Sequence, residues 1–228
     1  MKQYFLGIEF GSTRIKAVLL DEKHAIVKSG DYTWKSSLEN GVWTYHMEDV
    51  QEGLRTAIRN LGKLPGKISA MGVSGMMHGY LAFDKDWNLL APFRTWQNTM
   101  TGEAADKLTE AFGFNIPQRW SIAHLYQAVL NGEAHVKNIA HITTLAGYVH
   151  YLLTGENVLG VGEASGMFPI DSEALDYDAA MLEKFDALIA KYGFAWTARS
   201  VLPKVLTAGQ AAGALTQAGS TFLDGLLS

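Results

Sequence analysis

Apolar residues in the first thirty positions fall in short runs rather than at helical spacing. Tyr4 to Phe10 is the first run; it carries Glu9 near its end and leads into Gly11-Ser12-Thr13. Residues 15–20 form a second run rich in strand formers. A polar turn, Asp21-Glu22-Lys23-His24, leads into a third at 25–27, closed by Ser29-Gly30. Runs of this length between turn residues predict three strands in an antiparallel meander. The period then changes: Met47, Val50, Leu54, Ala57, Ile58 and Leu61 recur at helical spacing. Glu48 and Asp49 lie in the first turn, where the helix dipole favours acids, and Gly62 is the stop signal. Further strands are expected at 68–73 and 81–84, the latter turning over residues 85–88. Further helices are expected near 102–112, 123–130 and 143–153. A last helix is expected over 176–192, with Asp176 as N-cap and Gly193 just beyond its end. Three strands, a helix, a strand and a helix in that order predict an α/β domain whose mixed β-sheet is flanked by helices.

Composition narrows the function classes. The 228 residues are about half hydrophobic and under a fifth charged, which is globular and long enough for one large domain. A net charge of −4 with no basic run argues against nucleic acid as a partner. With no cysteine, disulfides and thiolate metal sites are excluded. The opening apolar run is broken by Glu9, and the stretch 145–153 is too short to span a bilayer and contains His150. A cytoplasmic chain without a membrane partner is the expectation.

Candidate chemistry starts at the first glycine turn. Neither the dinucleotide fingerprint nor the G-x-x-x-x-G-K-[ST] loop is present. Both put a helix after the turn, whereas residues 15–20 read as a strand. Any phosphate would therefore sit in a β-hairpin turn, whose N–H groups form an anion nest. Ser12 and Thr13 add hydroxyl donors, Arg14 or Lys16 a positive charge, and Glu9 an oxygen ligand for Mg²⁺, direct or through water. An ordinary hairpin with a carboxylate at its strand end explains the same residues equally well.

The segment GIEFGSTRIKAVLLD resembles the first phosphate motif of the FGGY carbohydrate kinases, with Glu9 where Asp is usual. These kinases belong to the actin-like ATPase (ribonuclease H-like) superfamily, so the resemblance implies that fold. Residues 68–79 are similar to the xylulokinase segment ending G-I-S-G-Q-M-H-G, with Met76 in place of glutamine. Residues 92–98, PFRTWQN, resemble the family's strand ending in Trp-Asn-Asp, with Asn98 at the position of the Asp. Residues 148–167 look like the family's L-T-G-E followed by D-x-S-D-A-S-G-T, matched by Glu163-Ala-Ser-Gly166. Leu202-Pro203 and residues 209–216 resemble the end of the first domain. Read alone, His78 is a hydrogen-bonded structural histidine and Trp96 a packing residue.

By this resemblance residues 1–228 are the N-terminal domain of a xylulokinase-like FGGY kinase, with the C-terminal kinase domain absent. It implies ATP-dependent phosphorylation of a pentulose or related ketose. Phosphates would lie on Gly11, Ser12, Thr13, Arg14 and Lys16, Mg²⁺ on Glu9, and the sugar on Met77, His78, Trp96 and Asn98. The base is expected in a Gly-Asp motif of the second domain; Asp224, in Leu-Asp-Gly, is the nearest candidate in this chain. A non-catalytic sugar-binding or regulatory module is the alternative, and a homodimer is left open.

Overall fold

The computed structural model describes residues 2–227. The three opening runs form β1 (Tyr4–Phe10), β2 (Arg14–Leu20) and β3 (Ile26–Thr33). Alternate side chains of the first two are buried: Leu6, Ile8 and Phe10, then Ile15, Ala17 and Leu19. Period two of this kind marks a sheet packed on one face. The third strand does not close at Ser29-Gly30 as expected but continues to Thr33. Gly30 marks a close approach instead of a turn, because a Cβ there would run into the Ala57 carbonyl.

A small hairpin, β4 (Ser37–Glu39) and β5 (Val42–Thr44), precedes α1 (Met47–Arg59). The apolar stripe of α1 is buried at Val50, Leu54, Ala57 and Ile58, over β2 and β3. Each large aliphatic residue so buried contributes about 1.5–3 kcal/mol. β6 (Ile68–Gly75) then returns parallel to β1, giving the order β3-β2-β1-β6. The sheet is mixed, as expected, and among the described residues β6 pairs with β1 alone.

The remaining elements are β7 (Leu81–Phe83), α2 (Gly102–Phe112), α3 (Ser121–Leu130), β8 (His141–Thr143) and α4 (Leu145–Thr154). They continue through β9 (Val158–Gly160), α5 (Val161–Ala164), β10 (Ile170–Asp171), β11 (Asp176–Tyr177) and α6 (Ala179–Ile189). The last are α7 (Ala198–Val201), β12 (Lys204–Leu206) and α8 (Gln217–Phe222). Leu145, Val149 and Leu153 of α4 join the sheet core, while α2, α3 and α6 enclose a second core around Leu108, Leu125, Phe168 and Phe185. The last long helix starts later than expected, but a 3-10 turn over Ala190–Tyr192 carries it to the expected end, with Gly193 left-handed just beyond. Asp178, not Asp176, is its N-cap, accepting from the Met181 N–H at 2.8 Å. Asp176 lies in β11 and takes both Nη groups of Arg199, at 2.8 and 2.7 Å. Among the described residues no helix is long and apolar enough to cross a membrane.

Candidate phosphate and sugar site

β1 and β6 run side by side in parallel, and Phe10 and Gly75 are partners at their ends. The Gly11-Ser12-Thr13 turn therefore leaves β1 next to the place where Met76-Met77-His78 leaves β6, and the Met76 N–H donates to the Phe10 carbonyl at 3.0 Å. Ligands of open α/β sheets bind beyond the carboxyl ends of the strands, which is where these two segments meet.

The carbonyls of the turn are held from behind. The Trp34 indole donates to Gly11 O at 2.7 Å, the Tyr45 hydroxyl to Ser12 O at 2.7 Å, and the Trp34 N–H to Thr13 O at 3.1 Å. With all three carbonyls engaged on one side, the exposed Ser12 and Thr13 present their hydroxyls to solvent. The two cations nearby are already paired: Arg14 with Asp31 at 2.9 Å, and Lys16 with Glu9 at 3.1 Å across the β1–β2 register. A Cβ on Gly11 would lie 3.3 Å from Glu9 Oε1, so that carboxylate curls beneath the turn. No cluster of three or more His, Asp or Glu side chains fit to hold a metal occurs among the described residues. One half-exposed carboxylate beside the Gly11–Thr13 turn would fit Mg²⁺ carried on a nucleotide, which keeps most of its waters and phosphate ligands.

On the β6 side the backbone is strained. His78 has φ +71° and Gly79 φ +90°, and for His78 this is the sparsely populated left-handed region. The conformation is over-determined: the Gly79 N–H donates to Arg119 O at 3.1 Å, and Ser121 Oγ donates to Gly79 O at 2.6 Å. It aims His78 at the Gly166 carbonyl, 3.1 Å from Nδ1. An N–H is required at Nδ1 for that bond, which assigns the tautomer and leaves Nε2 as an acceptor. Burial holds the His78 imidazole below the ordinary histidine range; the Gly166 bond opposes this and the Arg119 charge reinforces it. His78 is thus a neutral acceptor at pH 7. Gly166 has no room for a Cβ, which would lie 2.7 Å from His78 Nδ1 and 2.9 Å from Met77 Cε. The Glu163-Ala-Ser-Gly166 motif and the Met77-His78 motif, 88 positions apart, form one corner.

Trp96 is brought to the same corner. Tyr80 and Arg94 form an antiparallel bridge, with N–H···O distances of 2.8 and 3.2 Å, so the chain runs from Arg94 to Trp96 beside the 78–79 turn. Trp96 is 44% exposed. Asn98 lies beneath it, 3% exposed, with its amide committed to Trp43 and Thr95. Behind the bridge is a buried polar group. Arg94 pairs with Glu133, the Tyr80 hydroxyl meets His135 Nε2 at 2.8 Å, and Arg94 lies 5.3 Å over the Tyr80 ring. His124 stacks on Tyr80 with neither ring nitrogen partnered by protein, and burial pushes its pKa down to about 3.

Asp224 does not reach this site. It pairs with Arg55 at 3.1 Å and Arg59 at 2.7 Å, tying the C-terminal segment to α1. Sequence reasoning missed Arg119, which no motif or period marks.

The Gly11–Thr13 turn and the Met77-His78 corner thus lie on adjacent strand ends of a mixed sheet with the actin-like ATPase fold. Residues 4–226 match the N-terminal domain of the FGGY family of carbohydrate kinases, and the chain belongs to that family. It is 25% identical over 202 residues to glycerol kinase from Thermococcus gammatolerans, covering 81% of this chain and 41% of that one. Its fold is similar to that of gluconate kinase from Lactobacillus acidophilus (TM-score 0.82, 20% identity, 98% of this chain and 46% of that chain). It is likewise similar to the ligand-bound xylulose kinase of the same organism (TM-score 0.81, 20% identity, 97% of this chain and 46% of that chain). The chain spans less than half the length of these relatives.

Proposed function

We propose that this domain is the first lobe of an ATP-dependent sugar kinase whose acceptor is a ketose or a related sugar. The observation that carries this reading is the adjacency of the Gly11–Thr13 turn and the Met77-His78 corner at the ends of parallel strands β1 and β6. The Ser12 and Thr13 N–H groups and hydroxyls hold the nucleotide phosphates, the Gly11 N–H being committed to Arg14 O at 2.9 Å, and Arg14 and Lys16 exchange their present carboxylate partners for them. Glu9 holds Mg²⁺, which neutralises charge on the phosphates when bound. Trp96 gives the sugar ring a flat apolar face, Met77 packs beside it, and His78 Nε2 accepts from a sugar hydroxyl. Asn98 acts by fixing the Trp96 turn from below.

In the reaction a sugar hydroxyl oxygen bonds to the γ-phosphorus while the bridging bond to ADP breaks. The hydroxyl proton passes to a carboxylate base. On this reading the base comes from a second lobe, although the buried Oε1 of Glu163, in the motif that meets His78, has no hydrogen-bond partner. That lobe also closes the cleft and excludes water. The supporting test is phosphoryl transfer to a sugar panel by the complete reading frame, beside the 228-residue chain. Turnover by the longer protein, with a hundredfold or greater loss in the shorter, is expected from loss of the base alone. Equal turnover by both would place the base within this chain.

A further inference from the structure

The chain has six arginines, and five of them meet carboxylates. Arg14 pairs with Asp31, Arg55 and Arg59 with Asp224, Arg94 with Glu133, and Arg199 with Asp176. Arg119 is exposed and has no carboxylate partner among the described residues. Its backbone is nonetheless fixed as firmly as any in the site. Gln118 O accepts from Thr101 Oγ1 at 2.6 Å, Arg119 O from the Gly79 N–H at 3.1 Å, and Ser121 Oγ closes on Gly79 O. Residues 118–121 are thereby stitched to the His78-Gly79 turn on one side and to the start of α2, beyond Trp96, on the other. Arg119's charge reaches the His78 ring. The exposed Arg119 side chain therefore starts from a fixed backbone beside the His78 turn, with no carboxylate of the described residues paired to it.

We propose that Arg119 reads a carboxylate on the acceptor, so that the sugar taken by this domain is an aldonic acid rather than a neutral ketose or polyol. The inference rests on the sugar-kinase reading above and sharpens it. The planar guanidinium fork suits a carboxylate bidentately, and such charge-assisted pairs are stronger than neutral hydrogen bonds. The carboxylate end would lie against Arg119, with the carbon chain along Trp96 and a hydroxyl on His78 Nε2. This orientation turns the far end of the chain toward the Gly11 turn, where phosphate arrives.

The test measures equilibrium binding by calorimetry on the complete reading frame. The ligands are a six-carbon aldonate, the neutral polyol and ketose of equal length, and a sugar phosphate as anionic control. The aldonate should bind best, and Arg119→Gln should weaken it about 10- to 100-fold. The neutral sugars should be left unchanged, and Arg119→Lys should restore part of the loss. Unliganded melting temperatures of both variants serve as the folding control, and an exposed side chain should leave them unmoved. Tighter binding of the neutral sugars, tightest binding of the sugar phosphate, or equal weakening of all ligands in Arg119→Gln would each overturn the proposal. Phosphoryl transfer on the same panel separates the two readings. Aldonate binding without transfer to any sugar removes the kinase reading alone, whereas Arg119-independent transfer to a neutral ketose removes this inference alone.

Discussion

Asn98 is bonded through both ends of its side-chain amide to the main chain of Trp43: Oδ1 accepts from the N–H at 2.9 Å, and Nδ2 donates to the carbonyl at 2.8 Å. The same Nδ2 reaches Thr95 O at 3.0 Å. The residue thus ties β5 to the turn that carries Trp96. Asn98→Ala would leave the Trp43 N–H without its partner, while the Trp43 carbonyl keeps the bond from the Thr95 N–H at 3.1 Å, at a cost of about 1–3 kcal/mol. Thermal unfolding should fall by a few degrees per kcal/mol in a domain of this size. Asn98→Asp should be worse, since a carboxylate cannot donate to either carbonyl. An unchanged melting temperature with a raised sugar requirement would instead make Asn98 a direct sugar contact.

Gly166→Ala tests the corner formed by the two distant motifs. The new methyl cannot coexist with His78 Nδ1 in its present place, so the ring must shift and lose its bond to residue 166. A tenfold or greater rise in the sugar KM is expected, with ATP affinity unchanged. Met77 can yield at its flexible tip, so its displacement adds little. Equal loss of affinity for both substrates would show a general collapse rather than a displaced imidazole.

Thr13→Val probes the phosphate turn. The substitution removes an exposed hydroxyl at nearly constant volume, and losing one hydrogen bond to a charged phosphate should weaken ATP about 10- to 100-fold. The Thr13 carbonyl still accepts from Trp34, so the hairpin should fold as before. Normal ATP affinity in a folded variant counts against the turn as the phosphate site.

Acid stability should carry the signature of His124. Its folded pKa is near 3 because burial, aided by the Arg94 charge, disfavours the imidazolium, against an ordinary value of 6.5. The unfolded chain therefore binds this proton more readily. Stability is fully present above about pH 6.5 and falls as pH drops toward 3, at about 1.4 kcal/mol per pH unit for one proton. His135, lowered by burial, titrates in the same direction, and so does Glu133, held below its ordinary value by Arg94 against its own desolvation. Denaturant melts at pH 7 and pH 5 should separate clearly. A His124→Phe variant, which keeps the stack on Tyr80, should reduce the difference by about one proton. A pH-independent melt would mean that the ring is solvated.

The sequence and the structure agree where local pattern and tertiary context coincide. The β1–β2 hairpin alternates cleanly because its outer face is open. The α1 stripe is complete because one sheet covers it. The expected limits of α2, from Gly102 to Phe112, match the observed ones, with Gly113 left-handed at its end. Disagreement follows from contacts between distant residues. Gly30 reads as a turn because nothing local announces the helix crossing it, and Asp176 reads as a cap because Arg199 is 23 positions away. The β4–β5 hairpin, three residues a side, is too short to show a period. Motif resemblance located His78 and Gly166 separately, but only the fold brings them together. Arg119 lay outside every motif, since its place is set by hydrogen bonds to Gly79.

The unpaired outer edge of β6 has a consequence for the behaviour of this polypeptide in solution. Along that edge, facing a groove of about 530 Å³ bounded by α4 and residues 206–212, every second main-chain amide has no strand to bond. Those amides should exchange with deuterated solvent far faster than their neighbours bonded to β1, giving an alternating protection pattern within a single strand. An open edge of this length also recruits strands from other molecules. Isolated at high concentration, the domain should lose solubility through β6 first, and a lysine or proline placed on that edge should restore it without touching the phosphate turn.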